Sequence, residues 1–256
     1  MKMSWGLRLY VTGCLVLLPS LGYSTTNSSV LREKKFYQEL YSESTFYQKY
    51  DLVTESRVRS YLPLWSGNNW RIEPYLGVSL QYQSSGAEAK YFDNTATPAL
   101  GILVRFFEKV TLQAQGGVRT VVGEKENKSE WDPKTVFSAG DFWTWQSLGF
   151  SSVFTEAYSE SAYLPRVSET PVSILWIKQG YRFKAASHLY IDPYAEFFAR
   201  ESRSPDLGPS TTQGRAGVRT MWQNNSWTVA ALVYRNFKQH ESSSSVEGLF
   251  VVGGNF

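Results

Sequence analysis

Cysteine and histidine are almost missing from this chain of 256 residues: there is one cysteine, Cys14, and there are two histidines, His188 and His240. A lone thiol near the N-terminus leaves nothing downstream for a disulfide or a thiolate metal site. Two histidines far apart in sequence give little to acid–base catalysis, since imidazole is the usual base near neutral pH. Long apolar runs are missing as well. The longest, Leu9 to Leu18, is about half of the roughly 20 residues that a membrane-spanning helix needs. No metal-ligand spacing and no glycine-rich phosphate loop occurs, so neither a metal nor a cofactor is expected. With 26 basic and 23 acidic side chains the formal charge is only +3, which lacks the basic stripe of a nucleic-acid-binding protein.

What is present begins with an export signal. Lys2 and Arg8 precede the apolar stretch, and Pro19 and Gly22-Tyr23-Ser24 follow it, so cleavage is expected after Ser24. Val11-Thr12-Gly13-Cys14 also fits a lipoprotein processing site, although the apolar core continues past Cys14 to Leu18. Residues 25 to 36 read as a polar periplasmic tail.

The main body alternates with period two over lengths that suit tilted transmembrane strands. From Trp70 to Gln83 one face carries Trp70, Ile72, Pro74, Leu76, Val78, Leu80 and Tyr82, and the other carries Arg71, Glu73, Tyr75, Ser79 and Gln81. The same separation recurs from Leu189 to Arg200 and from Val110 to Val122. Further strands are expected near 37–48, 52–62, 97–107, 150–163, 171–184, 211–222, 226–238 and 246–256, with a weaker one near 136–148. Short joins are read at Phe107-Glu108-Lys109, Ala185-Ala186-Ser187 and Gln223-Asn224-Asn225, and long polar joins near 84–96, 123–134, 201–210 and 238–245. A faint duplication supports an even count. Tyr41-Ser42-Glu43-Ser44 returns as Tyr158-Ser159-Glu160-Ser161, Ile72-Glu73-Pro74-Tyr75 returns as Ile191-Asp192-Pro193-Tyr194, and Gly101 to Arg105 loosely matches Gly217 to Arg219. Two halves of six strands predict an all-β, antiparallel transmembrane barrel of twelve strands over 37–256. Pro74 and Pro193 conflict with a closed sheet unless they mark strand starts at a rim, or a bulge.

The last segment, Val246 to Phe256, alternates and stops on an aromatic residue. It resembles the closing strand of a bacterial outer-membrane β-barrel. That resemblance implies a Gram-negative outer membrane, contact with its lipid, both chain ends in the periplasm, and Phe256 as the signal read by the barrel assembly machinery.

In this register Arg57, Arg59, Arg71, Arg105, Arg119, Lys178, Arg182, Arg200, Arg215 and Arg219 point inward, as do Glu55, Glu73, Glu156, Glu160, Asp192 and Glu196. Ten basic groups against six acidic ones would focus a positive field and favour anionic solutes in transport. The same charges could instead fill a small barrel as a salt-bridged plug. Trp65, Trp70, Tyr82, Trp222 and Trp227 suit interfacial girdles, although packing inside a secreted β-sandwich would also use them. For an enzyme or adhesin acting through its loops, the one candidate cluster is His240 with Glu241, Ser242, Glu201 and Asp206.

A second resemblance rests on Trp143-Thr144-Trp145, Glu156-Ala157-Tyr158, Ser161-Ala162-Tyr163-Leu164-Pro165, Gly180-Tyr181-Arg182-Phe183, Asp192-Pro193-Tyr194, Gly217-Val218-Arg219 and Phe256. Together they are similar to the C-terminal barrel of bacteriophage adsorption protein A, over roughly residues 37 to 256. The resemblance implies a part in exopolysaccharide export or display, with polysaccharide and a phage tail protein as partners.

Overall fold

Alternation of apolar and polar residues every second position can satisfy a bilayer only if the sheet closes, because an open edge would leave backbone N–H and C=O groups bare in hydrocarbon. The computed structural model describes residues 36–47, 52–83, 94–122, 128–148, 151–165, 171–202, 210–238 and 245–256, and over them the sheet does close. The expected signal segment, and the expected tail up to residue 35, lie outside the described residues. Fourteen strands are present, two of them short. In chain order they are β1 (Tyr37–Tyr47), β2 (Leu52–Tyr61), β3 (Trp65–Ser66), β4 (Trp70–Gln83), β5 (Thr95–Phe106), β6 (Val110–Val121), β7 (Ser129–Trp131), β8 (Lys134–Leu148), β9 (Ser151–Tyr163), β10 (Val172–Lys184), β11 (Leu189–Glu201), β12 (Thr211–Gln223), β13 (Trp227–Lys238) and β14 (Ser245–Asn255). Each long strand pairs antiparallel with its neighbour in sequence, and β1 pairs with β14 to complete a twelve-strand barrel. The start of β1 and the last residue meet there: Gln38 N donates to Phe256 O at 2.8 Å and Phe256 N to Gln38 O at 3.1 Å.

Leu76, Leu80, Leu100, Ile102, Phe197, Val233 and Phe250 are exposed on the outer wall, while Tyr75, Leu103, Phe198, Tyr234 and Leu249 are buried inside. An outer wall so apolar on a closed sheet is what a bilayer requires, and the chain is an outer-membrane β-barrel. Trp65, Trp70, Trp222 and Phe256 are exposed at the end where β1 begins and β14 ends, and Tyr82 is exposed near the opposite, loop end. Trp227 stacks on Phe256 with ring centroids 5.7 Å apart.

Two departures from the expected strands have local causes. β7 and β8 face β6 in one continuous register, Val118↔Trp131 and Val110↔Ala139, so they form a single strand broken at Asp132-Pro133. Pro133 has no N–H for the ladder. The pattern over 136–148 is weak because Val136 and Phe142 face inward while Asp141 faces outward to Lys109, and because the register shifts between Thr144 and Gln146. The short joins 107–109, 185–187 and 223–225 lie at the end where β1 begins and β14 ends, and 62–69 lies there too although it is long enough to hold β3.

Pro74 sits where β2 has just ended, at Tyr61↔Tyr75, and its carbonyl accepts from Leu62 N at 2.9 Å. Pro193 lies inside β11. There the β10 ladder has pairs at Gly180↔Tyr194 and Phe183↔Ile191 and none between, with no change of register, so the missing N–H is accommodated by a gap in the ladder rather than by a bulge.

The duplicated segments occupy matching places. Tyr41 and Glu43 on β1, and Tyr158 and Glu160 on β9, point inward, and each tyrosine hydroxyl donates to the glutamate two residues on, the second at 2.5 Å. Tyr75 faces Gly101 across β4–β5, and Tyr194 faces Gly217 across β11–β12. A Cβ at Gly101 would lie 2.4 Å from the Tyr75 ring, so glycine is needed there for the ring to cross the strand.

Candidate functional site: the charged interior

Every second residue of each strand enters the interior, so the sequence supplies its charges in rows. On β11, Asp192 is fully buried and flanked by two guanidinium groups. Arg182 on β10 donates to it twice, at 3.1 and 2.8 Å, and Arg219 on β12 donates from Nε at 2.9 Å. Arg219 also reaches Glu156 on β9 at 2.9 Å, crossing the lumen. Charge-assisted pairs of this geometry are strong and directional in a low-dielectric interior. One layer away, Glu196 holds Lys178 at 3.3 Å and Arg215 at 2.8 Å.

The first half repeats the scheme on β4. Glu73, also fully buried, accepts from Arg105 Nε at 2.8 Å, while Arg71 donates to Glu108 at 2.5 Å. Arg57 pairs with Glu39 at 3.1 Å. Arg59 meets no carboxylate; it donates to Gln113 at 3.2 Å and to Tyr61 at 3.4 Å, inside a network in which Gln113, Tyr75 and Gln115 bond one another at 2.7–2.8 Å. Arg119 pairs with Glu130 of β7 at 2.9 Å, and Arg200 is buried near the loop end.

Aromatic rings fill the space between charges. Arg57 lies over Tyr41, Arg59 over Tyr75, Arg182 over Phe142, Arg215 over Phe198 and Lys178 over Trp176, with charge-to-centroid distances of 4.1–5.0 Å. Each such contact adds about 0.5–2 kcal/mol once desolvated. Glu73 and Asp192 are 0% exposed and Lys178 and Arg219 1%, so water does not reach these four side chains.

Sequence reading missed several inward groups. Glu39, Glu43, Glu247 and Lys134 also face the interior, as does Glu130 opposite Arg119, so that among the described residues acids and bases are closer to balance than six against ten. Extending the repeated motif by two residues would have found one of them: Glu39-Leu40-Tyr41-Ser42-Glu43-Ser44 matches Glu156-Ala157-Tyr158-Ser159-Glu160-Ser161. Glu108 was legible only as a turn residue.

The histidine cluster is largely outside the described residues: His240, Glu241, Ser242 and Asp206 are not covered, and only Glu201 is. His188 lies in the turn after β10, its Nδ1 3.1 Å from the Gln223 carbonyl oxygen.

No family model and no curated protein matches this chain. Solved structures do. The β domain of the Bordetella autotransporter BrkA is similar at 11% identity, covering 87% of this chain and 98% of that one with a TM-score of 0.44. An outer membrane channel from Pseudomonas putida F1 is similar at 9% identity, covering 86% and 95% with a TM-score of 0.44. The translocator domain of the autotransporter NalP from Neisseria meningitidis is similar at 10% identity, covering 87% and 89% with a TM-score of 0.42.

Proposed function

We propose that this barrel passes a saccharide bearing acidic groups across the outer membrane, and that the described conformation is its closed state. One observation carries the reading. The interior is filled with arginine–carboxylate pairs where apolar side chains would fill it at least as stably, since removing two charges from water offsets most of their attraction. A filling that exists only to close a barrel has no need of such groups. Guanidinium groups stacked on rings and opposed to carboxylates can exchange partners with a passing sugar acid, whose hydroxyls and carboxylate meet the same donors.

Conductance of the purified protein in a planar bilayer tests this. Wild type is expected to conduct rarely, Arg219→Ala and Asp192→Ala to conduct more often, and an acidic oligosaccharide to reduce the current. Silence of all three proteins in membranes where they are correctly inserted would overturn the reading.

A second reading, display at the surface and use as a phage receptor, draws on the polar composition of joins such as 84–93 and 203–209. Shortening those joins would then abolish phage adsorption and leave conductance unchanged. Hydrolysis of lipid or peptide lost in His240→Ala would instead support a surface enzyme.

A further inference from the structure

Arg71 and Arg105 stand directly opposite each other on β4 and β5. Like charges so placed repel unless anions lie between them, and the anions present satisfy them only in part. Arg105 donates to Glu73 at 2.8 Å and to the Tyr37 hydroxyl at 3.4 Å. Arg71 donates from Nη2 to Glu108, but its Nε and Nη1 are buried without an acceptor. Glu73 Oε1 stands 3.9 Å from Nη1, too far for a hydrogen bond, and has no donor of its own. Buried charged donors left in this condition are destabilising, which makes them a sign of function rather than of packing.

Glu108 holds its place against the backbone. It and Phe107 are the two central residues of the turn closed by Lys109 N to Phe106 O at 3.1 Å, with φ of 59° and 52°. Asn-Gly is the usual occupant of such a turn, because other side chains are strained at positive φ. A glutamate there loses turn stability and gains one bond, to Arg71. Its side chain is 43% exposed against 7% for Arg71, so Glu108 is the partner that can leave. The matching carboxylate of the other half, Asp192, has both oxygens bonded; unmet nitrogens occur there too, at Arg215 Nε and Arg219 Nη2, but on arginines whose own carboxylate partners, Glu196, Glu156 and Asp192, are buried and cannot leave as Glu108 can.

We infer that Arg71 and Arg105 form a binding site for the carboxylate of an acidic saccharide, at the lumen end where β1 begins and β14 ends, and that Glu108 is the resident carboxylate which the ligand displaces. The inference rests on the barrel being a passage for such saccharides and names where they enter. A carboxylate in place of Glu108 would meet Nη2 together with an unmet nitrogen, the two-point geometry for which arginine is suited. Arg105, already held by Glu73, adds field rather than a second clamp.

Titration calorimetry on the purified full chain in detergent tests this with glucuronate, glucose and acetate as probes. Glu108→Gln is expected to bind glucuronate about tenfold more tightly than wild type, because a competitor occupying Arg71 most of the time has been removed. Arg71→Gln is expected to abolish binding, and glucose to bind none of the proteins. Arg71→Lys keeps the charge without the paired geometry and is expected to weaken binding, which provides the test should Arg71→Gln not fold. Unchanged affinity in Glu108→Gln, full affinity in Arg71→Lys, or acetate binding as tightly as glucuronate would each overturn the site. Conductance separates the two proposals: a conducting barrel with no glucuronate site sinks this inference alone, whereas glucuronate binding to a barrel that never conducts sinks the passage and leaves the site.

Discussion

In the half built from β9 to β14, both oxygens of Asp192 are bonded by guanidinium groups from the strands on either side; in the half built from β1 to β8, the matching Glu73 has one oxygen on Arg105 and the other without a donor. The difference traces to one position. Arg182 lies opposite Asp192 in the β10–β11 register, and extending the β2–β4 register by two residues puts Pro63 in the corresponding place. β2 has ended by then, so no side chain from that strand can reach Glu73. Elsewhere the halves differ by exchange rather than loss: Arg57 covers the ring of Tyr41, whereas Trp176 stacks on Tyr158 at 5.7 Å. A repeated unit can thus have its central carboxylate fully bonded on one side of the barrel and half bonded on the other.

Substitutions can break or sharpen that contrast. The largest effect is expected from Asp192→Ala, which strands Arg182 and Arg219 in the interior and should cost about 3–5 kcal/mol. Glu73→Ala, whose carboxylate is only half used, should cost about 1–3 kcal/mol. Denaturant unfolding followed by heat-modifiable gel mobility gives both, and equal losses would erase the distinction between the halves. Next comes Gly217→Ala, whose Cβ would lie 2.4 Å from the Val233 carbonyl oxygen. A clash with backbone should cost about 1–3 kcal/mol, and more than Gly101→Ala, where the obstacle is the Tyr75 side chain. Tyr41→Phe and Tyr158→Phe should each cost about 1 kcal/mol and match each other, because the same hydroxyl-to-carboxylate bond is lost. A difference larger than that loss would mean that the two Tyr–Glu pairs are not equivalent. The smallest effect is expected from Phe107→Asn combined with Glu108→Gly, which relaxes the turn but takes the acceptor from the buried Arg71, two opposed effects that leave a net change below about 1 kcal/mol. Thermal stability measured beside wild type checks its sign.

Much of the architecture was legible because alternation is a local signal. Trp70 to Gln83 and Leu189 to Arg200 announce their faces without reference to any other strand. Lys134 to Leu148 does not, since Val136 and Phe142 are apolar residues turned inward and Asp141 is a charge turned outward, toward Lys109. β3 and β7 were missed for another reason: strands of two and three residues are too short for any period to register. Inward charges such as Glu196 were found where the neighbouring positions are apolar. Glu43 escaped where both neighbours are polar: Ser42 and Ser44 pair with Ser56 and Thr54 on the outer side at 2.8 and 2.9 Å.

By itself the sequence determined the long strands and, wherever their alternation is clean, which side chains turn toward lipid and which toward the interior, because the pleat repeats every second residue whatever lies across from it. Only the tertiary structure decided which charges meet. Arg219 finds Glu156 across 63 residues of chain, Arg59 finds a glutamine 54 residues away instead of an acid, and Arg71 is left with two donors unmet. Those meetings depend on the register and tilt with which the sheet closes on itself, properties that belong to all twelve strands together and to no single stretch of sequence.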